Sequence, residues 1–204
     1  MINMIYSLLI VFMIFFNQNI KQDIKVNQNA KASVSNSVKS NDDKKLKIQN
    51  FIKLVQPKYS TEKCRNITNI IFEKSKIYDI DPLLTASVAY VESEFNMSSK
   101  PCIGMMQLTR SSVRYYDPKK QYDPKTVAGN FEIGLIEMKH HFSSVNRGGN
   151  LQSRATTRQV LLRYNGSRLK YTYAIKVLRV KNRLDLLDVE KLKQKLKKGS
   201  IWNP

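Results

Sequence analysis

The chain has 204 residues with a formal net charge of +19, is 42% hydrophobic and 25% charged, and contains only seven glycines and six prolines. These values exclude collagen-like and low-complexity chains and fit one globular domain with extra segments at its ends. The charge is +6 over residues 1–58 and +3 over 186–204, which leaves +10 in the middle. A basic domain favours an anionic partner, and nucleic acid, anionic lipid and anionic envelope polymers all qualify on charge alone.

Ile5 to Phe16 is a nearly unbroken apolar run. It is too short for a membrane span, which needs about 20 residues, but it suits the core of an export signal. The expectation is a signal peptide or N-terminal anchor over residues 1–22, and no Lys or Arg precedes the run. Residues 23–58 are polar and basic and read as a flexible linker. Order is expected to begin near Ile48 to Val55 and to become firm after Ser60.

The next segments carry helical signals. Ile67, Ile70, Ile71 and Lys74 recur at helical spacing. Asp81-Pro82 reads as a helix start, with the acid as N-cap and proline in the first turn. The almost wholly apolar stretch Leu83 to Val91 that follows predicts a helix buried on most sides. Asn130 is expected to open another helix, Thr156 or Thr157 to cap one, and Tyr173 to Leu184 to form one more. Residues 186–204 read as a basic C-terminal helix or tail. Strand alternation is scarce, so the fold class is all-α or mainly α.

Two cysteines, Cys64 and Cys102, do not make a zinc site with only His140 and His141 to help. In an exported protein they can pair as one disulfide; otherwise they are two buried thiols. No metal or cofactor is expected. Neither a helix-turn-helix nor a zinc or ribonucleoprotein signature is present, so nucleic acid is not the expected partner.

Glu92 ends the apolar helix, in Ala-Ser-Val-Ala-Tyr-Val-Glu-Ser-Glu-Phe at 86–95. A carboxylate against an apolar wall loses solvation, so its pKa should rise and it can hold a proton near neutral pH for a leaving oxygen. Glycosidic cleavage requires such a group. Asp117 and Asp123 lie in Asp-Pro turns and read as turn or cap residues.

Five elements in order carry a resemblance. They are Ile80-Asp81-Pro82-Leu83-Leu84 leading to Glu92-Ser93-Glu94-Phe95, then Gly104-Met105-Met106-Gln107-Leu108, Tyr122-Asp123-Pro124, Arg163-Tyr164-Asn165-Gly166, and Tyr173-Ala174-Ile175-Lys176-Val177. Together they resemble the lysozyme-like lytic transglycosylases of the Slt type, over about residues 60–184. The resemblance implies a lysozyme-like catalytic domain at 59–185 and peptidoglycan glycan strands as substrate. It implies Glu92 as the single general acid, then base, with Ser93 orienting the carboxylate or the sugar. Gly104 would let the backbone approach the glycan, and Met106 and Gln107 would line the cleft. Tyr164 would lie near the acid, Asn165 would face the N-acetyl group, and Tyr173 would complete the wall.

With one acid assigned, the substrate's acetamido group must assist, and the implied product has 1,6-anhydro ends. A hydrolytic muramidase or a non-catalytic binding module are the alternatives. The chain departs from the family at Pro101-Cys102-Ile103, which stands for the usual Gly-Ala, and at Arg163, which stands for a small residue. Cys102, beside the cleft loop, could be tied to Cys64. A monomer in the periplasm or cell envelope is expected. By analogy it would serve a secretion complex or another envelope-spanning machine, and an uncleaved N-terminus would contact the membrane.

Overall fold

Ser60 accepts a hydrogen bond from the Lys63 amide and starts a helix, and Asp81 accepts one from the Leu83 amide and starts another. These caps satisfy backbone donors that a helix leaves open at its first turn. The structure, a computed structural model, describes residues 40–145, 154–166 and 170–188. The chain divides after Asp43 into two units. Of the first, only residues 40–43 are described, and they are helical.

In the second unit the described residues form helices and one isolated antiparallel bridge, Ile103 with Leu108. The expected all-α class holds. Helix α1 is the helical stretch at 40–55, of which 44–55 lies in this unit. It is followed by α2 (Thr61–Tyr78), α3 (Pro82–Ser93), α4 (Arg110–Tyr116), α5 (Val127–Val145), α6 (Arg154–Asn165) and α7 (Lys170–Leu186). Helix α3 packs against α2 and α7, α5 against α2, α4 and α6, and α6 against α7.

Residues 44–55 correct the expected linker over 23–58. Ile48, Phe51 and Ile52 are fully buried and Leu54 nearly so. Their i, i+3, i+4 spacing is a core-facing helical stripe inside a polar composition. The Phe51 ring lies 5.0 Å from Tyr90 and 5.5 Å from Phe95, the latter edge-on. The Gln56 amide donates to the Glu94 carbonyl and the Tyr59 hydroxyl to the Phe95 carbonyl. These contacts hold the end of α3 from below.

Two other boundaries shift. Helix α5 starts at Val127, three residues before Asn130, and α6 starts at Arg154, before the proposed threonine caps. Helix α4 was not anticipated. The export signal and the tail beyond residue 188 lie outside the described residues. No helix among the described residues is long and apolar enough to cross a membrane. Cys64 and Cys102 are free thiols, so the disulfide alternative is not realised. Cys64 is buried beside Tyr59, Lys53 and Lys63, whereas Cys102 interacts with Tyr164.

Candidate active site

Helix α3 stops abruptly after Ser93. Glu94 and Phe95 both take left-handed backbone angles, φ 52° and 61°. The Glu94 amide bonds the Tyr90 carbonyl, and the Phe95 amide reaches back to Ala89. This Schellman-type ending buries the apolar Phe95 side chain completely. Glu92 therefore occupies the last turn of a helix whose end is fixed by this cap. Burial raises its pKa from 4.5 to about 7, and a contact with the Tyr173 hydroxyl pulls it down. That contact falls short of full hydrogen-bond geometry, so the buried Tyr173 hydroxyl is a weak donor to the carboxylate. Desolvation thus outweighs it, and Glu92 is half protonated near neutral pH.

A groove of about 590 Å³ runs along the end of α3 and faces α7, lined by Glu92, Ser93, Glu94, Asn96, Ser99, Lys176 and Arg179 among others. Its size suits a small-molecule or sugar ligand.

The loop after α3 is held from inside. The Ser93 hydroxyl donates to the Ala89 and Met105 carbonyls, at 3.1 and 2.9 Å. Ser93 therefore ties the helix to the loop rather than orienting the carboxylate. Gly104 has φ 72°, and a Cβ there would lie 2.2 Å from the Asn130 side-chain nitrogen. Its missing side chain makes room for Asn130, not for a glycan. Met106 is fully buried, and Gly134 on α5 lets it approach: a Cβ at 134 would lie 3.0 Å from three Met106 side-chain atoms. The Met106 side chain is core and has no surface to offer a sugar. The Gln107 amide donates to the Ser99 and Gly104 carbonyls and accepts from the Cys102 amide. Gln107 thus clamps the loop on itself instead of presenting its amide to the cleft.

Asn130 is the residue the sequence reading undervalued. It is fully buried, accepts from the Met106 amide at 2.8 Å, and donates to the Ile103 and Pro124 carbonyls at 2.9 and 3.0 Å. Tyr164, on α6, donates its hydroxyl to the Met106 carbonyl at 2.9 Å. Its pKa is raised well above the usual value by burial and then by Glu92, Glu137 and Cys102. Asn165 closes α6 and is half-buried. Tyr164→Phe should cost about 1 kcal/mol, since it orphans the Met106 carbonyl. Thermal unfolding should fall by about 2–4 °C. An unchanged midpoint would show that this bond carries no stability.

Glu137 on α5 was missed altogether. Its carboxyl is buried, accepts from the Ser112 hydroxyl at 3.1 Å and lies 4.0 Å from His141 Nε2. Burial raises its pKa to about 7; the Ser112 bond lowers it and the Glu92 charge raises it further. The signal was its place four residues after Ile133 on a buried stripe. Asp117 accepts from the Gln121 and Tyr122 amides and Asp123 from the Lys125 amide, the turn roles expected of them.

The site is thus a groove with a protonatable carboxyl on a fixed helix end, a second carboxyl electrostatically linked to it, the buried Tyr173 and the half-buried Tyr164. The pattern of the transglycosylase SLT domain matches residues 69–179, more than half of the chain. The chain belongs to the transglycosylase SLT family. Comparisons with curated proteins and with solved structures gave no match. As a member of the SLT family it is a peptidoglycan lytic transglycosylase with a lysozyme-like all-α fold. The span matched to the SLT domain contains Glu92 and every candidate substrate-binding residue named above, and also Asn130 and Glu137.

Proposed function

We propose that the enzyme cleaves the β-1,4 bond between N-acetylmuramic acid and N-acetylglucosamine with Glu92 as acid, then base. The single observation behind this is the Glu92 carboxyl, desolvated at the groove and holding a proton near neutral pH. Its proton passes to the glycosidic oxygen as the bond to the anomeric carbon breaks. The acetamido oxygen of the muramoyl residue attacks that carbon and carries the positive charge. The Glu92 carboxylate then takes the proton of the sugar's 6-hydroxyl, whose oxygen displaces the acetamido oxygen and closes a 1,6-anhydro ring. No water is consumed, and the carboxyl ends reprotonated. Tyr173 supports the carboxylate stage, because a hydrogen bond to the charged form favours it.

Ser93, Gly104, Met106 and Gln107 serve this reaction by shaping the loop beside Ser99, Tyr164 by holding that loop through the Met106 carbonyl, and Asn165 by meeting the N-acetyl group. The proposed setting is the periplasm or cell envelope, in support of an envelope-spanning machine. Residues 1–22 act as signal or anchor, and 186–204 as a basic tail.

Glu137 supports a second reading. A second carboxyl linked to the first could activate water, which would make the enzyme a hydrolase. Mass spectrometry of muropeptides released from purified sacculi separates the two: anhydro ends support the first reading, and reducing ends overturn it. Under the second reading Glu137→Gln removes the base and abolishes activity; under the first it only removes a negative neighbour of Glu92 and lets Glu92 ionise more easily. The alkaline limb of the activity profile should then move to lower pH. A limb that stays in place would show that the two carboxyls do not communicate.

A further inference from the structure

The groove beside Glu92 has a chemically uneven rim. Lys176 and Arg179 of α7 line it and are exposed. Neither has an ion pair or hydrogen bond among the described residues. Their neighbour Lys181, by contrast, is held by Asp81 at 3.1 Å and Asp185 at 2.6 Å. Glu94 is the acid on the opposite, α3 side. At about 1.5 Å rise per residue, Lys176 and Arg179 stand about 4.5 and 9 Å along α7 from Tyr173, which faces Glu92. Two unengaged cations on the groove wall, about one and two turns along α7 from the tyrosine that faces Glu92, offer a place for an anion on the substrate.

The sugars of a glycan strand are themselves neutral. The anions hang from C3 of the muramoyl residue: the lactyl carboxylate where the peptide has been removed, or the carboxylates of the stem peptide where it remains. We infer that Lys176 and Arg179 form a carboxylate-binding subsite for the muramoyl C3 substituent, next to the reacting centre. Charge-assisted hydrogen bonds from a guanidinium and an ammonium are the contacts such a group accepts. This inference rests on the reading that the groove holds a glycan strand. It adds that the strand is recognised through its acid substituent and not through its sugars alone.

Binding to the Glu92→Gln form of the full chain tests the subsite independently of turnover. Fluorescently labelled peptide-bearing strands, amidase-stripped strands and chitooligosaccharide of equal length serve as probes. The carboxylate-bearing strands should bind roughly five-fold or more tighter than the neutral oligosaccharide, with the margin shrinking as salt rises. Adding Lys176→Ala and Arg179→Ala should erase that margin and leave chitooligosaccharide binding unchanged. Whichever of the two carboxylate strands loses more identifies the anion. Equal binding of all three probes, or a margin that survives the double substitution, overturns the subsite. Release of muropeptides by the unsubstituted enzyme is measured alongside, so a failure of the glycan-cleaving reading shows there and not in the binding arms.

Discussion

Glu92→Gln will abolish the clearing of peptidoglycan in a zymogram while leaving the protein folded. General acid–base catalysis is worth about 10²–10⁴-fold, and the proposed mechanism uses this one carboxyl in both steps, so the loss should be at least about 100-fold. The pH dependence follows from the burial of the same group. The acid form is needed first, and its pKa is near 7. Activity at low substrate should therefore fall as pH rises through about 7.

The stability effect has the opposite sense. In the unfolded chain the carboxyl ionises near 4.5, but in the fold only near 7. The ionised form is the one the fold disfavours, so the wild type loses stability as pH rises from 4.5 to 7. Glutamine carries no charge and escapes this. The variant should melt higher than wild type above pH 7 and about equally below pH 4.5. Equal clearing by both proteins would remove Glu92 from the reaction. A lower melting point for the variant at neutral pH would contradict the desolvated carboxyl.

Asn130→Ala will be the most damaging change away from the acid. It orphans the Met106 amide and the Pro124 carbonyl and removes a second donor from the Ile103 carbonyl, which keeps the Leu108 amide. At about 1–3 kcal/mol for each of these two unsatisfied groups, the loss is about 2 kcal/mol at the low end. The melting midpoint should drop by about 4–8 °C. Lytic activity should fall as well, because the loop that Ser93 joins to the end of α3 loses its anchor.

Gly104 offers an internal check. The three close contacts that a Cβ would meet at 104 are all side-chain atoms of Asn130. Gly104→Ala should be severe alone but much milder in the Asn130→Ala background, where only the left-handed backbone strain remains. Additive losses would mean that the two residues do not share one space.

What could be read from the sequence was what chemistry writes locally. Asp81-Pro82 announces a helix start through a capping carboxylate and a first-turn proline, and the apolar run to Val91 makes Glu92 conspicuous. Glu137 and Asn130 stayed hidden because their meaning is set by distant neighbours. Asn130 acts on residues 24 and 27 positions earlier. The loop Gly104 to Leu108 was expected to line the cleft, but Gly104, Met105, Met106 and Leu108 are buried and Gln107 bonds back to its own loop. Motif letters alone do not say which way a side chain points. The segment 44–55 was read only in part, with order expected from about Ile48 but a linker drawn to residue 58: four apolar residues were diluted by lysine and asparagine, and a composition average erased their spacing.

That short leading helix sets the limits of what can be cut out and studied. The recognisable family pattern begins at residue 69, yet the aromatic ring that wedges beneath Tyr90 and Phe95 comes from position 51. A fragment trimmed to the pattern would leave the floor of the acid-bearing helix open to water. Expression boundaries for this enzyme belong upstream of residue 44, where the folding unit starts, not where the sequence likeness does.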